Sequence, residues 1–161
     1  MTDNASEGMA SPASGPVMLA LSTFRHSDAA IQTALDKAAQ AGSLFVLYVA
    51  DVNLARYLVA TDLSVHPELK HMCEEELLEL HRKRAAEKAE AIVKQAEGRG
   101  ITATLHVETG RFGVVALAAV ARVRPAMIVT TRSNRPEWVR RLFGSPVDRL
   151  IAEAGCPVLV V

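Results

Sequence analysis

Ala126-Met-Ile-Val-Thr-Thr131, an arginine-rich loop ending at Phe143, a helix start at Gly144-Ser145, and Cys156-Pro-Val-Leu-Val-Val161 decide how this chain folds. The first piece is an apolar strand, the last another, and Gly155 stops the short helix between them. A strand that feeds a polar loop onto a Gly-Ser helix start suits anionic groups, because free backbone N–H groups and the helix dipole converge there. The arginines of the loop, Arg132, Arg135, Arg140 and Arg141, add guanidinium groups that can hold a phosphate bidentately.

The same alternation runs back to the beginning. Val17-Met-Leu-Ala-Leu21 is an apolar run of strand length that stops at Ser22-Thr23. Ser27-Asp28 offers an N-cap, and Ala30, Ile31, Ala34, Leu35 and Ala38 repeat at helical spacing until Gly42. Ser43 to Val49 is the second buried strand, and residues 51–65 read as a connecting loop. Pro67 at a first helical position opens a long, charge-rich helix to Glu97. Leu69, Met72, Cys73, Leu77, Leu80, Ala85, Ala89, Ile92 and Ala96 are expected to form one apolar stripe along it. Its acids Glu74, Glu75, Glu76 and Glu79 precede Arg82, Lys83 and Arg84, the order of a solvated helix face with i,i+4 pairs. Ile101 to Val107 alternates, so it is expected near a sheet edge. A turn at Thr109-Gly110-Arg111 leads into an apolar helix from Phe112 to Arg122. Strands alternating with helices predict a parallel sheet with right-handed crossovers.

Composition agrees. Half of the 161 residues are hydrophobic but only 4% are aromatic, so the core is Ala, Val, Leu and Ile, as in a sheet covered on both faces. Eighteen basic and eighteen acidic residues cancel, leaving no global field for nucleic acid or an anionic membrane. No apolar run approaches the roughly 18 residues of a spanning helix. Residues 1–16 are Ser, Ala, Gly and Pro-rich without a basic or apolar signal region, so a disordered tail on a cytoplasmic protein is expected, with one domain over 17–161. Cys73 and Cys156 suggest neither a disulfide framework nor a zinc site, and the five histidines form no metal constellation.

Several junctions resemble the universal stress protein family, over essentially Val17 to Val161. The ending Cys156 to Val161 matches the family's Cys-Pro-Val-Leu-Val-Val strand, and Glu108-Thr-Gly110 sits where the family has a short Gly turn. The resemblance implies an α/β three-layer sandwich: a five-stranded parallel sheet of order 3-2-1-4-5 with helices on both faces, Rossmann-like and similar to the adenine nucleotide alpha hydrolases. It also implies a dimer formed through the last strand, since self-pairing of 157–161 would cover an apolar edge.

Nucleotide-binding members hold ATP at the carboxyl ends of the strands, with a late Gly-x-x-Gly-x9-Gly-Ser/Thr loop around the phosphates. Aligned on Gly144, the family's earlier glycines fall on Thr131 and Asn134, so only Gly144 and Ser145 keep the pattern. After the first strand the family's Asp falls on Ser22 and its Gly on Thr23. The candidate nucleotide or anion site is therefore Ser22, Thr23, Val49, Thr131, Arg132, Asn134, Gly144, Ser145 and Pro146. Asn134 is the least costly non-glycine residue for a left-handed turn, whereas a positive φ at β-branched Thr131 would be strained.

Two ligands stay open for this site: ATP or another adenine nucleotide in the family manner, or a different small anion held by arginine. His26 follows the first strand and is a candidate to face the same crevice. Ser22, Thr23, Ser133 and Ser145 line the rim, but no histidine–acid pair marks one as a nucleophile, so capping and turn roles are expected and no catalytic residue. Trp138 between arginines is read as an anchor for the loop, not a nucleic-acid platform. The expectation is a non-catalytic, dimeric sensor or adaptor with a degenerate nucleotide loop. The alternative is an ATP- or AMP-binding switch with slow ATPase activity at most. An α/β enzyme or electron-transfer flavoprotein subunit of related topology is the third class, disfavoured by the short chain.

Overall fold

A computed structural model gives the architecture and describes residues 14–53, 67–133 and 144–161, with side chains except at 67–71 and 73. Five parallel strands form one sheet of order β3-β2-β1-β4-β5. They are β1 (Val17–Ser22), β2 (Ser43–Asp51), β3 (Thr102–Gly110), β4 (Met127–Thr130) and β5 (Val158–Val160). Among the described residues the helices that connect them are α1 (Asp28–Ala41), α2 (Pro67–Gly98), α3 (Phe112–Val123) and α4 (Pro146–Glu153).

The central strand explains the order. All six residues of β1 are buried, and the strand pairs with β2 from Val17↔Leu44 to Ser22↔Val49 and with β4 from Val17↔Met127 to Ala20↔Thr130. A strand with neighbours on both edges and helices on both faces has no polar side to show, hence its unbroken apolar run. Leu19, Leu21, Leu44, Val46 and Tyr48 point to the face covered by α1 and α2, with Leu35, Ala89 and Ile92 against them. Met18, Ala20, Phe45, Leu47 and Val49 point to the other face, under Phe112, Ala116 and Leu150 of α3 and α4. Each large side chain so buried contributes about 1.5–3 kcal/mol.

Caps fall where the sequence placed them. Ser27 accepts a hydrogen bond from the Ala30 amide at the start of α1, and Gly42 closes that helix in the left-handed region. Pro16 is already engaged before β1 begins: its carbonyl accepts from the Ala126 amide at 3.0 Å.

Two expectations change. The α2 stripe is not continuous. Ala85, Ala89, Ile92 and Ala96 are buried, but Met72 and Leu80 are 59% and 43% exposed and Leu77 is half-buried. At 3.6 residues per turn Leu80 lies roughly 150° round from the buried line, and Met72 roughly 130°. The helix also outruns the sheet: its 32 residues span about 48 Å, against about 30 Å for the nine of β2. Its buried hydrophobic residues among those described, Ala85, Ala89, Ile92 and Ala96, all lie in its second half. β5 is also shorter than the apolar run 156–161, with three residues in the strand. Hydrogen bonds continue on either side, from the Ile128 amide to Pro157 O and from the Val161 amide to Thr130 O, both 2.9 Å. Pro157 has no N–H to give.

Candidate functional site

The carboxyl ends of β1, β2 and β4 lie side by side, so the turns that follow them share one rim. At β1 the chain folds back at once. The Arg25 amide donates to Ser22 O at 2.9 Å and the Ser22 amide to Arg25 O at 3.1 Å, which closes a tight turn over Thr23 and Phe24. Thr23 is tied to β2, its amide donating to Val49 O at 3.1 Å and its hydroxyl at 3.5 Å. Ser22 is fully buried, and its Oγ has no hydrogen-bond partner among the described residues. Val49 is wholly buried beneath this turn.

Arg25 is the residue that sequence reasoning passed over. It is only 3% exposed, and its guanidinium carbon lies 4.5 Å from the centroid of the Phe112 ring. A desolvated cation on an aromatic face gains about 2 kcal/mol, which helps offset the cost of removing it from water. An arginine in a turn ordinarily reads as solvated, so nothing local to 22–28 signalled this. The partner ring is 87 residues further on.

His26, the next residue, is drawn to the α2 side of the sheet. Its Nδ1 is 3.4 Å from the Tyr48 hydroxyl and its Nε2 is 3.8 Å from Asp28. Burial, aided by Lys88, holds the imidazole below its ordinary pKa, with Asp28 opposing. Burial pushes the Tyr48 hydroxyl up to about 12.

At β4, Thr130 donates its hydroxyl to Ala20 O at 2.8 Å, and Thr131 follows with 9% exposure. Among the described residues, Arg124 alone of the non-glycines has a positive φ, so the strained conformation considered for Thr131 does not arise. Thr131 simply ends the strand. Arg132 points outward and pairs with Asp148 at 3.3 Å, both exposed. Ser133 is buried. Asn134, Arg135, Trp138, Arg140 and Arg141 lie outside the described residues.

Beyond the loop, Gly144 takes φ +72°, and Ser145 caps α4 by accepting from the Asp148 amide at 3.3 Å. Pro146 occupies the first turn and rests on α3, where a Cβ built on Gly113 would come within 3.3 Å of Pro146 Cβ. Among the described residues a Cβ on Gly144 would meet nothing within 4 Å, so what they ask of this position is conformational. Gly144→Ala should therefore lower stability by about 1–2 kcal/mol, read from the urea midpoint at unchanged m-value. An unchanged midpoint would mean the turn does not need the left-handed conformation.

The structure thus joins Ser22 and Thr23 in one turn tied to Val49 of β2, and Gly144, Ser145 and Pro146 in another, with Thr131 and Arg132 following β4. Comparison with known proteins interprets the arrangement. The model of the Universal stress protein family matches residues 14–161. The chain belongs to the universal stress protein family. Solved universal stress proteins share its fold at low identity. The UspA protein from Lactobacillus plantarum is 18% identical, with a TM-score of 0.67, covering 91% of this chain and 97% of that one. A universal stress protein family protein from Arabidopsis thaliana, solved with AMP bound, is 17% identical with a TM-score of 0.55, covering 91% and 90%. A universal stress protein solved in complex with cAMP is 13% identical with a TM-score of 0.57, covering 91% and 96%. No curated protein matches by sequence. Among the described residues no helix is long and apolar enough to cross a membrane.

Proposed function

We propose that this universal stress protein is a non-catalytic, dimeric sensor or adaptor whose nucleotide crevice is filled by its own side chains. Arg25 carries the reading. Where the family's Asp and Gly would follow β1, this chain has Ser22 and Thr23, and close by a buried guanidinium over the Phe112 ring. A ligand would have to displace that cation from its aromatic partner. On the β4 side the side chain of Thr131 stands where close backbone approach to a phosphate would need glycine.

Two of the rim hydroxyls have turn and capping contacts, Thr23 to Val49 O and Ser145 to the Asp148 amide. The dimer forms through β5, where Leu159 and Val161 are 36% and 40% exposed at the sheet edge. A cytoplasmic location accords with this role.

A second reading has its own support: relatives of this fold were solved with AMP and with cAMP, and Gly144-Ser145 keeps the left-handed turn and the capped helix start. It makes the chain an adenine-nucleotide switch with at most slow ATPase activity. Titration calorimetry with ATP, AMP and cAMP separates the two. The adaptor reading expects no saturable heat below about 1 mM, a binding energy of about 4 kcal/mol. Micromolar ATP binding that Gly144→Val abolishes would replace it with the switch.

A further inference from the structure

The two edges of the sheet are unequal: β5 pairs over three residues and β3 over nine. Edges of that length are usually blunted by proline, lysine or a bulge. β3 has none of these. Its register with β2 runs unbroken from Ser43↔Thr102 to Asp51↔Gly110, and Glu108 and His106 are its only ionisable side chains. Among the described residues nothing pairs with its outer side. Leu105 and Val107, although they face α2, remain partly exposed at this rim.

In a parallel strand the N–H and C=O of one residue point to the same side, and successive residues alternate. The Thr102 amide donates to Gly42 O at 3.3 Å, so even-numbered residues of β3 bond toward β2. The peptide groups of Ala103, Leu105, Val107 and Thr109 therefore point away from the sheet. On the face opposite α2, His106 Nε2 and Glu108 Oε2 are 2.9 Å apart, and both side chains are partly exposed.

We propose that β3 is an interface for a second copy of this chain, pairing antiparallel about a two-fold axis through Val107 and joining two sheets edge to edge. Hydrogen-bond parity and imidazole–carboxylate pairing select that register together. Outward peptide groups meet only when odd-numbered residues oppose odd-numbered ones, which rules out axes lying between residues. An axis at His106 sets imidazole against imidazole, and one at Glu108 sets carboxylate against carboxylate. At Leu105 neither side chain meets an opposite charge. Centred on Val107, His106 faces the partner's Glu108 and Glu108 faces the partner's His106, in the non-hydrogen-bonded positions where side chains come closest. Val107 lies against the partner's Val107, and Leu105 against the partner's Thr109, which covers the exposed apolar rim. The interface is self-complementary, as two-fold pairing requires.

This surface is at the opposite edge from β5, so with both edges in use the protein assembles beyond the β5 dimer, and the test is made on full-length protein carrying Leu159→Lys, which removes the β5 edge from consideration. Sedimentation velocity should still find a dimer. Adding His106→Glu sets carboxylate against carboxylate twice per dimer and should weaken association roughly tenfold. Adding Glu108→His to that variant exchanges the pair and should restore it. Thr109→Pro deletes an outward N–H without touching the β2 ladder and should leave a folded monomer, its fold checked by thermal melting. A Leu159→Lys protein that is monomeric throughout, or a double exchange no tighter than His106→Glu alone, overturns the proposal and leaves the β5 dimer untouched.

Discussion

Replacing Phe112 with alanine should cost about 3–5 kcal/mol, the largest loss expected from any single truncation considered for this chain. The ring is 1% exposed and is the first residue of α3. Its removal leaves a cavity beside Ala116 and Val147 in the core between the sheet and the helices α3 and α4. It also removes the surface on which the Arg25 guanidinium lies. That second effect separates this site from an ordinary core position. Loss of the ring alters the surroundings of a buried cation in the turn after β1. Urea denaturation of Phe112→Ala gives the first quantity. Repeating it on Arg25→Ala and on the double variant gives the coupling between them. A coupling of zero would show that the guanidinium draws nothing from the ring.

Ile92→Ala is expected to cost about 2–5 kcal/mol, while Leu80→Ala on the same helix should stay within about 0.5 kcal/mol. Periodicity along 67–97 treats both as members of one apolar stripe. The structure separates them: Ile92 is 2% exposed over β2 and β3, and Leu80 is 43% exposed on the opposite side of the helix. Thermal or urea unfolding of the two variants tests this directly. Equal losses would mean the first half of α2 is packed as firmly as the second.

That contrast marks where sequence was a good guide and where it was not. The strands were legible because residues buried on both faces leave unbroken apolar runs, as in Val17–Leu21 and Ser43–Val49. Helix starts were legible because Ser27 and Ser145 are side-chain caps whose chemistry is local. Strand order was not contained in periodicity; it came from resemblance, and the sheet has it. The length of α2 beyond the sheet was hidden, since an apolar residue does not announce whether anything lies under it. Arg25 was hidden for the converse reason. Burial of a charge depends on a ring brought near by the fold, and neither spacing nor composition records that contact. At the far end of the site the reading of Asn134, Arg135, Arg140 and Arg141 falls outside the described residues, while Gly144 has the left-handed geometry that the Gly-Ser signature implied.

One small contact has a mechanical meaning. Pro146 leans on Gly113, Gly113 follows Phe112, and Phe112 carries Arg25, which is bonded through its backbone to Ser22. The segment entering α4 and the turn after β1 are thus joined by contacts that run through the start of α3. A pull on the segment entering α4 would be transmitted to the hairpin after β1.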